Sequence, residues 1–185
     1  MKFEPTVFRE VWLIELDLKE DERGFLARTF CEKEFAERGL NTRWPQCNLT
    51  RTLRRGMIRG LHYQAEPSPE LKLIRCSRGA IFDVVVDVRP DSPTFGKWAG
   101  FELTADNRRQ LYVPGGFAHG LQCLQDNSEV FYQMSEYYVP DLARGVRWDD
   151  PTVNVSWPIS NPSLSERDRN LPFLQFKVYS SGGRK

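Results

Sequence analysis

The chain has 185 residues, with 26 Lys plus Arg against 25 Asp plus Glu and a formal charge of +1. That length suits one domain with a real hydrophobic core, and the near-neutral balance provides no field that would gather DNA or RNA. No window approaches the roughly 18 apolar residues of a membrane span, and the opening Met1-Lys-Phe-Glu-Pro5 has charges where a secretory leader needs an apolar core, so neither is expected. In chain order, short apolar or alternating runs predict strands over residues 11–16 and 25–30. Residues 31–39 predict one or two helical turns closed by Gly39, which can adopt a left-handed cap. Further strands are predicted over 57–64, 71–76, 80–88, 97–103, 110–113, 118–124 and 129–137, with turns at Arg89–Pro93 and Pro114–Gly116. Nine strands without long helices between them indicate an all-β sandwich or barrel. From Trp157-Pro158 onward, prolines and charges alternate. This texture predicts one domain over 1–185, with a C-terminal extension from about residue 160 packed over the sheets and a frayed end at Ser180–Lys185.

Cys31, Cys47, Cys76 and Cys123 form no CxxC pair and are expected as free thiols, mostly small buried hydrophobes, in a reducing, cytoplasmic compartment. Structural zinc is disfavoured by the same spacing. There is no GxGxxG, GxxxxGK[ST] or GxSxG motif. Arg51, Arg54, Arg55 and Arg59 form the nearest approach to a basic cluster and suit a small anion as well as a nucleic acid.

General bases near neutrality are scarce, because the chain has two histidines, His62 in Arg59-Gly-Leu-His62 and His119 in Phe117-Ala-His119-Gly120. Period-two alternation over 57–64 puts Arg59, Leu61 and Tyr63 on one face and Ile58, Gly60, His62 and Gln64 on the other. Lys72 opens the next strand, so a base and a cation from successive strands could bracket a carbonyl-bearing substrate. In 129–137, Tyr132 shares its face with Val130 and Met134, where its hydroxyl needs either a carbonyl partner or a part in proton transfer. In 80–88, Asp83 and Asp87 share an otherwise apolar face. Asp87 can reach the Arg89-Pro90 turn, whereas Asp83 lies deeper and needs a partner.

Taken together, Asp21-Glu-Arg-Gly-Phe25, Gln46-Cys-Asn48, Ile58-Arg-Gly-Leu-His-Tyr-Gln64, Leu71-Lys-Leu73, Tyr112-Val-Pro-Gly-Gly-Phe-Ala-His-Gly120 and Trp148-Asp-Asp-Pro151 resemble the dTDP-4-dehydrorhamnose 3,5-epimerase family over roughly residues 3 to 175. The resemblance implies a cupin-like jelly roll, a homodimer sharing strands across its interface, and no metal or other cofactor. Its substrate would be a nucleoside-diphosphate 4-keto-6-deoxyhexose, epimerised at C3, C5 or both in deoxysugar biosynthesis. It further implies His62 as base, Asp168 as the carboxylate orienting it, Tyr132 as the opposing acid and Lys72 beside the sugar carbonyl. Arg23 and Arg59 would hold the diphosphate, Gln46, Asn48, His119 and Tyr138 would line the site, and Asp83 would pair with His119. Three positions depart from the family pattern: Arg28 where Glu is usual, Lys19 where an aromatic often meets the base, and Gln133 where Lys is common. They are candidates for altered specificity, in the nucleotide base or in which carbon is inverted. A metal-dependent cupin enzyme using His62 and His119, and a non-catalytic nucleotide-sugar-binding protein, are the alternative readings.

Overall fold

The structure is a computed structural model, and it describes residues 1–175. Its strands are β1 (Lys2–Pro5), β2 (Trp12–Glu15), β3 (Leu18–Asp21), β4 (Gly24–Ala27), β5 (Gln46–Thr52), β6 (Ile58–Gln64) and β7 (Lys72–Arg78). They continue with β8 (Ala80–Asp87), β9 (Trp98–Thr104), β10 (Gln110–Val113), β11 (Phe117–Cys123), β12 (Ser128–Met134) and β13 (Ala143–Gly145). Two short α-helices, α1 (Glu32–Ala36) and α2 (Glu166–Arg169), complete the architecture with a 3-10 turn at Pro140–Leu142. A six-stranded sheet in the order β1-β2-β10-β7-β12-β5 faces a five-stranded sheet in the order β13-β6-β11-β8-β9, and β3-β4 forms a separate hairpin. Every strand pair is antiparallel. This is an all-β sandwich, as the strand rhythm predicts, with the jelly-roll form that the family resemblance implies.

The inner faces of both sheets make the main core. Ile74, Cys76, Leu111 and Val130 from one sheet meet Ile81, Val85, Leu103 and Leu121 from the other. Alternation along β8 sends Val84 and Val86 to the outside of the five-stranded sheet. That face is also buried, because Val146 and Val153, with half-buried Val155, Trp157 and Leu174, pack over it. Asp150, buried at 2%, ties this layer down by accepting from the Val153 and Leu174 N–H groups at 3.0 and 2.6 Å. A third cluster closes one end of the six-stranded sheet, where Phe35 of α1 meets Ile14, Leu73 and Tyr112. The helix ends as expected, with Gly39 at φ +66°. Asp87 also behaves as anticipated. It is fully buried and accepts from Arg89, Ser92 and Thr94 in the following turn.

Four strands had no prediction: β1, β3, β5 and β13. β5 is the instructive case. Gln46, Asn48 and Thr50 line a polar cavity, while Cys47, Leu49 and Arg51 are exposed, so neither face shows the apolar period that marks a strand. The predicted strand at 129–137 ends at Met134, because at the next pair the Leu71 N–H donates to the Ser135 hydroxyl at 2.9 Å instead of to a ladder carbonyl. All four cysteines are free. Cys76 and Cys123 are buried as expected, and burial pushes the Cys76 thiol up to about 11, whereas Cys47 is exposed on β5. Among the described residues no helix is long and apolar enough to cross a membrane. The predicted frayed end at Ser180–Lys185 lies outside the described residues.

Candidate active site

Between the sheets, at the end where β5, β6, β7, β11 and β12 converge, lies a cavity of about 310 Å³. Its two walls carry different chemistry. On the five-stranded sheet, His62 of β6 stands directly opposite His119 of β11 in the strand register. On the six-stranded sheet, Lys72 of β7 and Tyr132 of β12 face the same space.

His62 Nε2 and Asp168 Oδ1 are 2.6 Å apart. Asp168 comes from α2, far along the chain, and is 5% exposed. Ser165 caps that helix by accepting from the Asp168 N–H at 3.0 Å, which sets the carboxylate toward β6. The second oxygen, Oδ2, accepts from the Gly60 N–H at 3.3 Å. Burial alone would push the Asp168 carboxyl up, but the hydrogen bonds from His62 and Gly60 outweigh it and hold the group below the usual carboxylate range. An ionised carboxylate only accepts, so the proton of neutral His62 sits on Nε2 and Nδ1 keeps a lone pair. His119 is built the same way, its Nε2 lying 2.7 Å from Oδ1 of fully buried Asp83. Asp83 therefore answers its burial with a histidine at one oxygen only, its buried Oδ2 having no hydrogen-bond partner among the described residues, and it stands behind the cavity wall rather than in it.

Lys72 is 7% exposed, and its ammonium pairs with Glu70 at 2.6 Å. Tyr132 is half-buried between Val130 and Met134, packs against the main core, and makes no hydrogen bond to another described residue. Gln46 and Asn48 line the cavity from β5, with Gln46 accepting from the Tyr138 N–H at 3.2 Å. Tyr138 closes one rim. Arg59 reaches the other, held by Thr52 Oγ1 at 2.8 Å and the Arg51 carbonyl at 2.9 Å.

Strict alternation would put Arg59 and His62 on opposite faces of β6. Both line the cavity, because β6 carries one extra residue against β11. His119 pairs with His62 and Leu121 with Arg59, so three steps on β6 oppose two on β11. The bulge falls at Gly60, whose φ of +112° favours glycine. A Cβ there would lie 2.7 Å from Gly120 Cα and 2.8 Å from the His119 carbonyl oxygen.

Four expected residues are not brought to this chain's cavity. Arg23 is 83% exposed on the β3-β4 hairpin and pairs with Asp21, and Lys19 on the same hairpin pairs with Asp17 at 3.1 Å. Arg28 pairs with Glu34 at 3.0 Å on the surface. These three sit on or beside the hairpin, which joins neither sheet. Gln133 points away from the cavity because it neighbours Tyr132 on β12 and strand side chains alternate. Conversely, Glu70, Arg144 and Arg167 line the cavity without having been anticipated. Glu70 had a legible signal, its position two residues before Lys72. Arg144 had none, since β13 is only three residues long.

A family model described as dTDP-4-dehydrorhamnose 3,5-epimerase matches residues 5–175. A dTDP-4-dehydrorhamnose 3,5-epimerase from Shigella flexneri is 44% identical over 166 residues, covering 89% of this chain and 91% of its own. The crystal structure of the Bacillus anthracis enzyme with TDP and PPi bound superposes with a TM-score of 0.91 at 43% identity, covering 94% of this chain and 99% of that one. A 3'-monoepimerase from Streptomyces bikiniensis, in complex with dTDP-quinovose, superposes with a TM-score of 0.87 at 34% identity, covering 92% and 86%. Sequence motif, sandwich topology and near-complete coverage converge, and this chain belongs to the dTDP-4-dehydrorhamnose 3,5-epimerase family.

Proposed function

We propose that the chain epimerises a dTDP-linked 4-keto-6-deoxyhexose at C3 and C5 through an enolate, with His62 as base and Tyr132 as the opposing acid. The observation that carries this reading is the His62–Asp168 pair at 2.6 Å on one cavity wall, with Lys72 and Tyr132 on the facing sheet. A hydrogen next to a ketone is too weak an acid for imidazole unless negative charge is stabilised as it develops. Lys72 supplies that stabilisation at the carbonyl oxygen. His62 Nδ1 takes the proton, and Asp168 favours the resulting imidazolium. Return of a proton from Tyr132, on the opposite side of the ring, inverts the carbon. Each step uses a group of this chain.

The diphosphate falls to Arg59, whose guanidinium is fixed at the rim, and to Arg23 of a second copy. The β3-β4 hairpin supports a homodimer. It belongs to neither sheet and exposes Phe25 at 50% and Leu26 at 74%, an apolar surface suited to cover by another subunit. Residues 1–175 act as one catalytic unit, with the segment after residue 146 packed on the outer sheet face. Free thiols at all four cysteines support a reducing, cytoplasmic setting.

Incubation in D2O with dTDP-4-keto-6-deoxyglucose tests the reading, since each carbon that loses and regains a proton records itself. The wild type should take up deuterium at C3 and C5, and His62→Ala should abolish uptake at both. Tyr132→Phe keeps the base but removes the second donor, so exchange with retention should outlast net inversion. Full epimerisation by His62→Ala would remove His62 as the base, and label at C3 alone would assign a mono-epimerase.

A further inference from the structure

The cavity wall around Lys72 holds an anion that the acid–base chemistry above leaves unused. Glu70 precedes Lys72 by two residues, and both side chains line the cavity. Both are more than nine-tenths buried, at 8% and 9% exposure. Glu70 Oε1 pairs with Lys72 Nζ at 2.6 Å. The other oxygen, Oε2, is buried and has no hydrogen-bond partner among the described residues. A buried acceptor without a donor is rare in native proteins, because nothing replaces the water it has lost. One that belongs to a cavity-lining residue is explained by a donor that arrives with the ligand.

The chemistry of the substrate says which donor. An ammonium has three N–H groups, so Lys72 can serve Glu70 and still reach the C4 carbonyl oxygen. On one side of that carbonyl, C5 carries a methyl group and the ring oxygen, neither of which donates. On the other side, C3 carries a hydroxyl. An α-hydroxy ketone therefore presents an acceptor and a donor side by side, and Lys72 with Glu70 presents a donor and an acceptor in the complementary order.

We propose that Glu70 is a specificity-determining residue, whose Oε1 holds the Lys72 ammonium and whose Oε2 accepts a hydrogen bond from the sugar hydroxyl next to the keto carbon. The proposal rests on the epimerase reading above. It makes this wall selective for 4-keto sugars that bear a C3 hydroxyl, and it gives the enzyme a contact to the substituent that moves when C3 inverts.

The test compares dTDP-4-keto-6-deoxyglucose with its 3-deoxy analogue, measuring kcat/KM for deuterium uptake next to the ketone. The quantity of interest is the ratio between the two substrates, wild type against variant, because their intrinsic acidities then cancel. Loss of a charge-assisted bond in a sheltered site is worth about 10- to 150-fold. Glu70→Ala should lower the preference for the 3-hydroxy sugar by about that factor. Glu70→Gln, which matches the native shape and keeps one acceptor oxygen, should give an intermediate ratio. A ratio unchanged in both variants, with both substrates slowed alike, would confine Glu70 to supporting Lys72 and overturn the proposal. A wild type that exchanges neither ketosugar would instead overturn the epimerase reading, and this one with it.

Discussion

Replacing Asp168 by Asn changes charge and hydrogen-bond polarity at the base with little change in shape. In the native site one carboxylate oxygen meets His62 Nε2 at 2.6 Å and the other accepts from the Gly60 N–H at 3.3 Å. The asparagine amide has one acceptor oxygen and one donor NH2. If the Gly60 N–H keeps the oxygen, the NH2 faces Nε2, and the imidazole proton is driven to Nδ1. The lone pair is then lost at the atom that must take the substrate proton. Loss of the charge-assisted bond to the developing imidazolium alone costs about 1.5–3 kcal/mol, or roughly 10- to 150-fold. The tautomer change adds to this, and the same Asp-to-Asn exchange behind the histidine of a serine-protease triad lowers kcat by about 10⁴. For Asp168→Asn we therefore expect a fall of about 10² to 10⁴ in kcat for deuterium uptake, with KM within a few-fold. Single-turnover exchange followed by NMR gives the rate, and calorimetric titration with dTDP reports whether the nucleotide end is intact. A variant within about 5-fold of wild type in kcat, or one whose whole defect lies in KM, would refute the assignment of Asp168 as the group that sets the His62 tautomer.

Arg59→Ala should weaken dTDP binding about 10- to 150-fold, since each lost guanidinium–phosphate bond is charge-assisted. Arg23→Ala should do the same only if its hairpin reaches the cavity of a second subunit. Unchanged titrations in both variants would take these arginines out of the site, and sedimentation at several concentrations checks the dimer independently. Stability should fall in acid through Asp87, whose carboxyl burial would raise but which the hydrogen bonds from Arg89, Ser92 and Thr94 hold below its usual range. Because the folded-state value lies below the unfolded value of about 4, the contribution is complete above pH 4 and disappears as pH drops through the lower folded value. In urea unfolding series Asp87→Asn should lose about 2 kcal/mol or more near pH 7 and show a shallower decline below pH 4. An unaltered acid slope in that variant would mean that other carboxyls carry it.

Local pattern determined most of the strand rhythm, helix α1 closed by Gly39 but not α2, and the partnering of Asp87 with its own turn. These depend on contacts within a few residues or on one buried face, and periodicity reports both. The site motifs around His62, Lys72, His119 and Tyr132 were equally legible, since rare polar residues stood on otherwise apolar strands. What local pattern could not disclose was set by long-range packing, and the partnership of Asp168 with His62 was legible only through the family resemblance. Asp168 lies 106 residues from His62 and meets it only because α2 folds back over β6. β5 escaped notice because its inward face is polar toward a cavity, and a strand that buries little apolar surface leaves no alternating trace. The bulge at Gly60 turned Arg59 to the same cavity as His62, and a one-residue offset of that kind depends on the partner strand β11 rather than on β6. The companionship of Lys19, Arg23 and Arg28 with the cavity was likewise a matter of tertiary placement. Their sequence neighbours match those of site residues, but the hairpin that bears them leaves both sheets, so in a single subunit they meet Asp17, Asp21 and Glu34 instead of a ligand.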